Sequence, residues 1–292
     1  APEAPPRQNA HGPMTPLIRF HSLYPDTHAQ KIAAHFGHLP RADQDADRQA
    51  LERVLAGLKA IYIICFTNRC GSNFLAQCLA SDGRLRQATE GLNHEVVINQ
   101  SKRNELRSFE AYLTWLIQRQ RGPHQIFGIK ASASQFIDLV NRGLLAAVRD
   151  RVHVVHISRK DPFEQAVSYY IASRTRQWTS TQPAQEATLD YRPDEILGTA
   201  EAITRQNAVF GLLFDLLGLK PLRVDYDKLV TDTDKMVRRV GRRVGLADLK
   251  LVREKLTYEK QADERNQALL QRLVADFSLH PERGLGAPAD EE

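Results

Sequence analysis

The stretch Ala60-Ile-Tyr-Ile-Ile-Cys-Phe66, followed at once by Thr67-Asn-Arg-Cys-Gly-Ser-Asn73, carries the most structural information in the chain. Seven consecutive apolar residues, several of them β-branched or aromatic, suit a strand buried on both faces, as in a parallel sheet. The next seven residues mix glycine with hydroxyl and amide side chains, and Phe74, Leu75, Cys78 and Leu79 then recur at helical spacing. A turn of that composition ahead of a helix brings backbone N–H groups and the positive end of the helix dipole to one point, which makes an anion cradle. An ordinary β-to-α turn with a capping serine has the same composition, so this segment alone leaves both readings open.

Working outward, Ile126–Lys130, Val152–Ile157 and Leu222–Tyr226 have the same strand character. Helical stripes lie between them: Phe109, Tyr112, Leu113, Leu116 and Ile117; then Ile196, Ala200, Ile203, Phe210, Leu213, Phe214 and Leu217; then Met236, Val237, Val240 and Val244. The last two stripes end at Gly218 and Gly245, residues suited to a helix C-terminus. Strands alternating with helices predict right-handed βαβ units and a parallel α/β sheet. Half of the fourteen prolines fall in the first forty residues. Residues 1–50 therefore read as an arm, extended or disordered first and helical later, residues 51–280 as the domain, and 281–292 as a polar tail.

Composition excludes several classes. With 42% hydrophobic and 26% charged residues the chain can bury a core, which excludes disorder throughout. The apolar run at 60–66 is far shorter than the roughly 20 residues of a membrane span. No apolar signal-peptide core stands out near the N-terminus. Cys65, Cys70 and Cys78 are an odd number in one segment, which argues for a reducing, cytoplasmic setting over a disulfide framework. His35-x-x-His38 lacks further ligands nearby, so no metal is expected. Lys+Arg 40 against Asp+Glu 35, a net charge of +5, suits an anionic ligand.

A second turn follows the strand at 152–157: Ser158-Arg-Lys-Asp-Pro-Phe-Glu-Gln-Ala-Val-Ser168. Asp161 reads as a helix N-cap, with Pro162 at the favoured first position and Glu164 at capping-box spacing. Arg159 ends the strand and Ser168 stands about two turns into the helix, so a guanidinium and a hydroxyl can converge on one phosphate. Taken singly, each also reads as a surface residue. No GxxxxGK[ST] occurs, which removes the main support for a nucleotide-hydrolysing P-loop.

The pair RCGSN and SRKDPFEQAVS resembles the Stf0 (trehalose 2-sulfotransferase-like) sulfotransferase family. Three further stretches agree with it in order: GRLRQATEGLN at 83–93, RVDYDKLV at 223–230 and KQADERN at 260–266. The resemblance implies a P-loop-NTPase-like, three-layer α/β sulfotransferase fold and transfer of a sulfuryl group from 3′-phosphoadenosine 5′-phosphosulfate (PAPS) to a hydroxyl of a carbohydrate, glycolipid or other small acceptor. It further implies a homodimer. On this reading Thr67, Arg69, Cys70, Gly71, Ser72 and Asn73 hold the phosphosulfate, while Arg159, Ser168 and Lys260 hold the 3′-phosphate. Glu90 takes the acceptor proton. Cys70 and Asn73 depart from that family's hydroxyl residues, but backbone N–H groups remain.

Lys130, at a strand end, is expected against the sulfonate, and Trp178, in the aperiodic stretch 174–192, against the acceptor. Two other classes stand beside this one. A sulfotransferase relative that binds nucleotide or a partner without catalysis would keep the turns. A nucleic-acid binder would use Arg238, Arg239, Arg242 and Arg243, which fall at helical spacing. Asp232 and Asp234 at the start of that helix and the lack of interleaved aromatics favour a solvated helix face instead.

Overall fold

In the computed structural model, residues 27–38, 44–178, 182–183, 185, 190–257 and 264–277 are described. Four strands, β1 (Ala60–Phe66), β2 (Ile126–Ala131), β3 (Val152–Ser158) and β4 (Leu222–Asp225), form one sheet in the order β2-β1-β3-β4. Every pairing is parallel. The helices are α1 (Thr27–Gly37), α2 (Gln44–Ala56), α3 (Ser72–Ala80), α4 (His94–Arg103), α5 (Phe109–Gln120), α6 (Ala133–Asn141) and α7 (Leu144–Ala147). The later ones are α8 (Pro162–Thr175), α9 (Pro193–Leu216), α10 (Tyr226–Thr231), α11 (Thr233–Arg243) and α12 (Glu264–Phe277).

The alternation of side chains along β1 divides its apolar run between two helical layers. Ile61, Ile63 and Cys65 join Leu51, Leu55, Phe109, Tyr112, Phe136 and Phe210 of α2, α5, α6 and α9. Tyr62, Ile64 and Phe66 point the other way, into Leu75 and Leu79 of α3 and Val237 and Val240 of α11. All seven residues of β1 are buried, and each large one stabilises the fold by about 1.5–3 kcal/mol. A third cluster ties α8, α9 and α12 together through Tyr170, Ile171, Ile196, Ile203 and Leu273. This is the parallel three-layer α/β arrangement that the sequence predicts.

Two details refine that expectation. Ile32 of α1 is fully buried in the first cluster, and α1 packs on α4 and α6, so the packed body includes residues that the sequence reading assigns to the arm. Tyr226 starts α10 and does not close the last strand. The strand at the sheet edge is thinned at one point: a Cβ on Gly128 would lie 2.1 Å from the Tyr62 ring. That tyrosine crosses β2 there and donates to the Arg86 carbonyl at 3.1 Å.

The topology positions the site. From β1 the chain runs to β2 on one side, then crosses back over β1 to β3 on the other. Such a switch leaves a crevice at the carboxyl ends of the strands, between loops that diverge. The basic stripe of α11 lies away from it. Arg243 donates to the Lys220 carbonyl at 2.6 Å and Arg239 contacts the Met236 sulfur at 3.8 Å, so part of the stripe is spent on contacts within the protein.

Candidate functional site

A cavity of about 610 Å³ opens at that switch. Its floor is the turn after β1. Arg69 and Gly71 both adopt left-handed backbone, with φ of 67° and 88°, and Gly71 caps α3 without any side-chain bond. The glycine is required twice over. Its φ disfavours L side chains, and a Cβ would fall 2.2 Å from the Tyr226 ring. With no capping side chain, the first N–H groups of α3, at Ser72 and Asn73, lack helical partners, and both residues line the cavity. The capping serine considered from the sequence is instead the first helical residue.

The turn after β3 forms the opposite rim. Asp161 caps α8, accepting from the N–H groups of Phe163 at 2.7 Å and Glu164 at 3.1 Å, with Pro162 at the first helical position. The cap fixes where α8 starts and hence where Ser168 and Arg159 stand. The Arg159 guanidinium lies 4.1 Å from the centre of the Tyr226 ring, a stacking worth about 0.5–2 kcal/mol. Its Nε is buried and has no hydrogen-bond partner among the described residues. A buried guanidinium N–H left without an acceptor is costly unless a ligand supplies one.

The two turns are tied together. Arg69 Nε donates to Ser168 Oγ at 3.0 Å, and the buried Gln165 of α8 donates to Thr67 Oγ1 at 2.8 Å and to the Asn68 carbonyl at 2.6 Å. Ser168 is thus bonded to Arg69, and it lines the same cavity as Arg159, with which the sequence reading groups it around one phosphate. Arg69 also donates to the Trp178 carbonyl at 2.8 Å, and Trp178 packs its ring near that of Tyr169.

The third wall carries carboxylates and an amide. Thr89 makes a single parallel bridge to Ile129, with Lys130 N–H donating to the Thr89 carbonyl at 2.9 Å. That bridge holds Glu90 beside the end of β2. Asn93, which caps α4 by accepting from the Glu95 N–H at 2.9 Å, and Glu95 itself continue the wall.

Of the residues singled out from the sequence, Arg69, Gly71, Ser72, Asn73, Glu90, Arg159, Ser168 and Trp178 all line this cavity. Thr67, Cys70 and Lys130 lie behind its wall and are fully buried or nearly so. Burial pushes the Cys70 thiol up to about 11, against smaller opposing effects from backbone hydrogen bonds and from the Lys130 and Arg159 charges. The Lys130 ammonium contacts Ser72, Asn73 and Glu90 instead of opening to the cavity where the sulfonate contact was expected. Lys260 lies outside the described residues. Sequence reasoning missed Tyr226, Asn93, Glu95, Tyr169 and Arg176 as lining residues. An aromatic at the end of a predicted strand was the available signal for Tyr226; the other four carried none.

A profile of the Stf0 sulphotransferase family matches residues 61–276. The chain belongs to that family. The trehalose 2-sulfotransferase of Mycolicibacterium smegmatis is 30% identical over 171 residues, which cover 53% of this chain and 63% of the relative. The match thus spans less than two thirds of that relative's length. Among the described residues no helix of this Stf0 family member is long and apolar enough to cross a membrane, and no three His, Cys, Asp or Glu side chains group to hold a metal ion.

Proposed function

We propose that this protein is a PAPS-dependent sulfotransferase whose acceptor is a hydroxyl of a carbohydrate, a glycolipid or another small molecule. The observation that carries the reading is the convergence of Arg69 and Arg159, from turns after two different strands, on one cavity with Glu90 across it. The donor is a polyanion, and the residues present suit one: Arg69 and the start of α3 line the cavity, and the Arg159 Nε has no acceptor among the described residues. PAPS would supply an activated sulfuryl group whose departure leaves charge on a phosphate oxygen.

This chain's own groups would do the rest. The N–H groups of Gly71, Ser72 and Asn73, with Arg69, would bind the phosphosulfate and stabilise the charge that grows on the departing phosphate, the largest electrostatic task in such a site. Arg159 and Ser168 would hold the 3′-phosphate, joined by Lys260. Tyr226 would keep the Arg159 guanidinium flat and in place. Glu90, on the opposite wall, would accept the proton of the acceptor hydroxyl. Asn93 and Glu95 offer further hydrogen-bond acceptors of the kind a polyhydroxyl ligand donates to, and Trp178 with Tyr169 offers rings to lie against its apolar faces. Cationic side chains supply the countercharge that a metal would otherwise bring.

The cysteine pattern implies a cytoplasmic setting, and the resemblance implies a homodimer. Sedimentation of the full chain at micromolar concentration tests the second half of that statement, with a single species of twice 33.0 kDa expected. The functional reading itself is tested by incubating the protein with PAPS and trehalose, glucose or a glycolipid and following 3′-phosphoadenosine 5′-phosphate (PAP) release and the sulfated product. Acceptor-dependent release is expected. Binding of PAP without PAP release from PAPS in the presence of any hydroxyl acceptor would support a nucleotide-binding relative without transfer.

A further inference from the structure

Lys130 is the most buried charged group in the described chain, with 1% of its surface exposed. A lysine ammonium so far from water persists only when paired. Its single carboxylate partner is Glu90, whose Oε1 lies 2.7 Å away and whose side chain is 40% exposed, on the cavity side. The remaining bonds go to Asn73 Oδ1 and, at 3.4 Å, to Ser72 Oγ. The Phe66 ring closes the fourth side, with its centre 4.8 Å from Nζ. One buried cation therefore touches both halves of the site: the wall proposed to accept a proton, and the first turn of α3 proposed to hold the leaving phosphate. No other described side chain bonds to both.

We propose that Lys130 is a positioning residue that couples Glu90 to the phosphosulfate turn and makes no contact with donor or acceptor itself. The inference rests on the sulfotransferase reading. In that reaction a bond forms between the acceptor oxygen and sulfur, the bond between sulfur and the phosphate oxygen breaks with its electron pair going to the phosphate, and the acceptor proton passes to a Glu90 oxygen. Before transfer, Lys130 and Glu90 neutralise each other. Once Glu90 holds the proton, the Lys130 charge has no anionic partner at that wall, and its field acts through Ser72 and Asn73 toward the phosphate that has just become more negative. Proton acceptance on one wall thus strengthens charge stabilisation on the other, at the moment when it is needed. Before that moment the same bond fixes the Glu90 rotamer, which a half-exposed carboxylate would otherwise not keep.

The test is a double-mutant cycle of Lys130→Met and Glu90→Gln, with Lys130→Gln as a second variant that keeps hydrogen-bond donation without charge. For each protein three quantities are read: melting, PAP affinity by calorimetry, and kcat and KM for PAPS with trehalose as acceptor. The expected result is a kcat about a hundredfold lower in Lys130→Met, with PAP affinity within about threefold of wild type. The double variant should be no more than about threefold slower than Glu90→Gln alone, since the two residues act as one unit. Effects that multiply would overturn the coupling, as would a kcat within about twofold of wild type. Loss of PAP binding together with cooperative melting in both lysine variants would make Lys130 a purely structural group and overturn it equally. Absence of turnover in the wild-type protein would instead strike the functional reading, so the two failures are distinguishable.

Discussion

The turn after β1 and the turn after β3 face each other across one cavity, yet they are built in opposite ways. The first is closed on itself: Thr67 and Cys70 are buried, Arg69 is held by Ser168 and by the Trp178 carbonyl, and Gly71 is locked by a φ of 88° and by the Tyr226 ring. The second leaves its arginine resting on an aromatic face with one N–H lacking an acceptor among the described residues. An anion site can thus be assembled from a preorganised backbone cradle and a side chain that gains its best partner only with the ligand. The cradle does the work of charge stabilisation without reorganising, while the open arginine supplies affinity.

The comparison can be broken most severely at the cradle. Gly71→Ala must place a Cβ 2.2 Å from the edge of the Tyr226 ring and hold an L residue at φ 88°. We expect PAP binding and turnover to fall by more than about a hundredfold, with a stability loss on the order of 1–3 kcal/mol; calorimetry and thermal melting measure both. Next comes the proton-accepting wall. Glu90→Gln should lower kcat by about 10²–10⁴-fold while PAP affinity stays within about threefold, so a variant with normal kcat would remove Glu90 from the chemistry. Arg159→Ala should act in the opposite sense to Glu90→Gln. It should weaken PAP by roughly ten- to a hundredfold, the value of a charge-assisted contact at about 1.5–3 kcal/mol, and Tyr226→Leu should reproduce part of that loss by freeing the guanidinium.

The smallest effect sharpens the contrast. Cys70 sits inside the preorganised turn, but its side chain belongs to the core, so Cys70→Ser should change turnover by less than about threefold. With its thiol pushed up to about 11 by burial, thiolate is scarce at pH 8, and iodoacetamide should leave it unmodified in the native protein while labelling it after unfolding.

The architecture was legible because buried parallel strands are written as unbroken apolar runs, and 60–66 could hardly be anything else. The two turns were legible for a related reason: glycine, caps and prolines have local meanings that tertiary context seldom overrides. What lies across the cavity was not. Ser168 accepts a hydrogen bond from Arg69, and α8 is held against the first turn by Gln165 bonding to Thr67 and Asn68, residues 97 or more positions away. Lys130 reads as the polar end of a strand, and only the one-residue bridge at Thr89 reveals that Glu90 waits beside it. The helix Thr27–Gly37 was hidden by the prolines that precede it, since its contribution to the core is carried by Ile32.

The claim that the two turns close around a single doubly phosphorylated adenosine is tested most directly by thermal denaturation of the full chain with PAP, and with ATP at the same concentration. A ligand present at about a hundred times its Kd adds about 2.7 kcal/mol to the folded state, so PAP should raise the melting temperature by several degrees, ATP by much less, and Arg159→Ala should remove most of the rise. Equal shifts with PAP and ATP, or none with either, would contradict it.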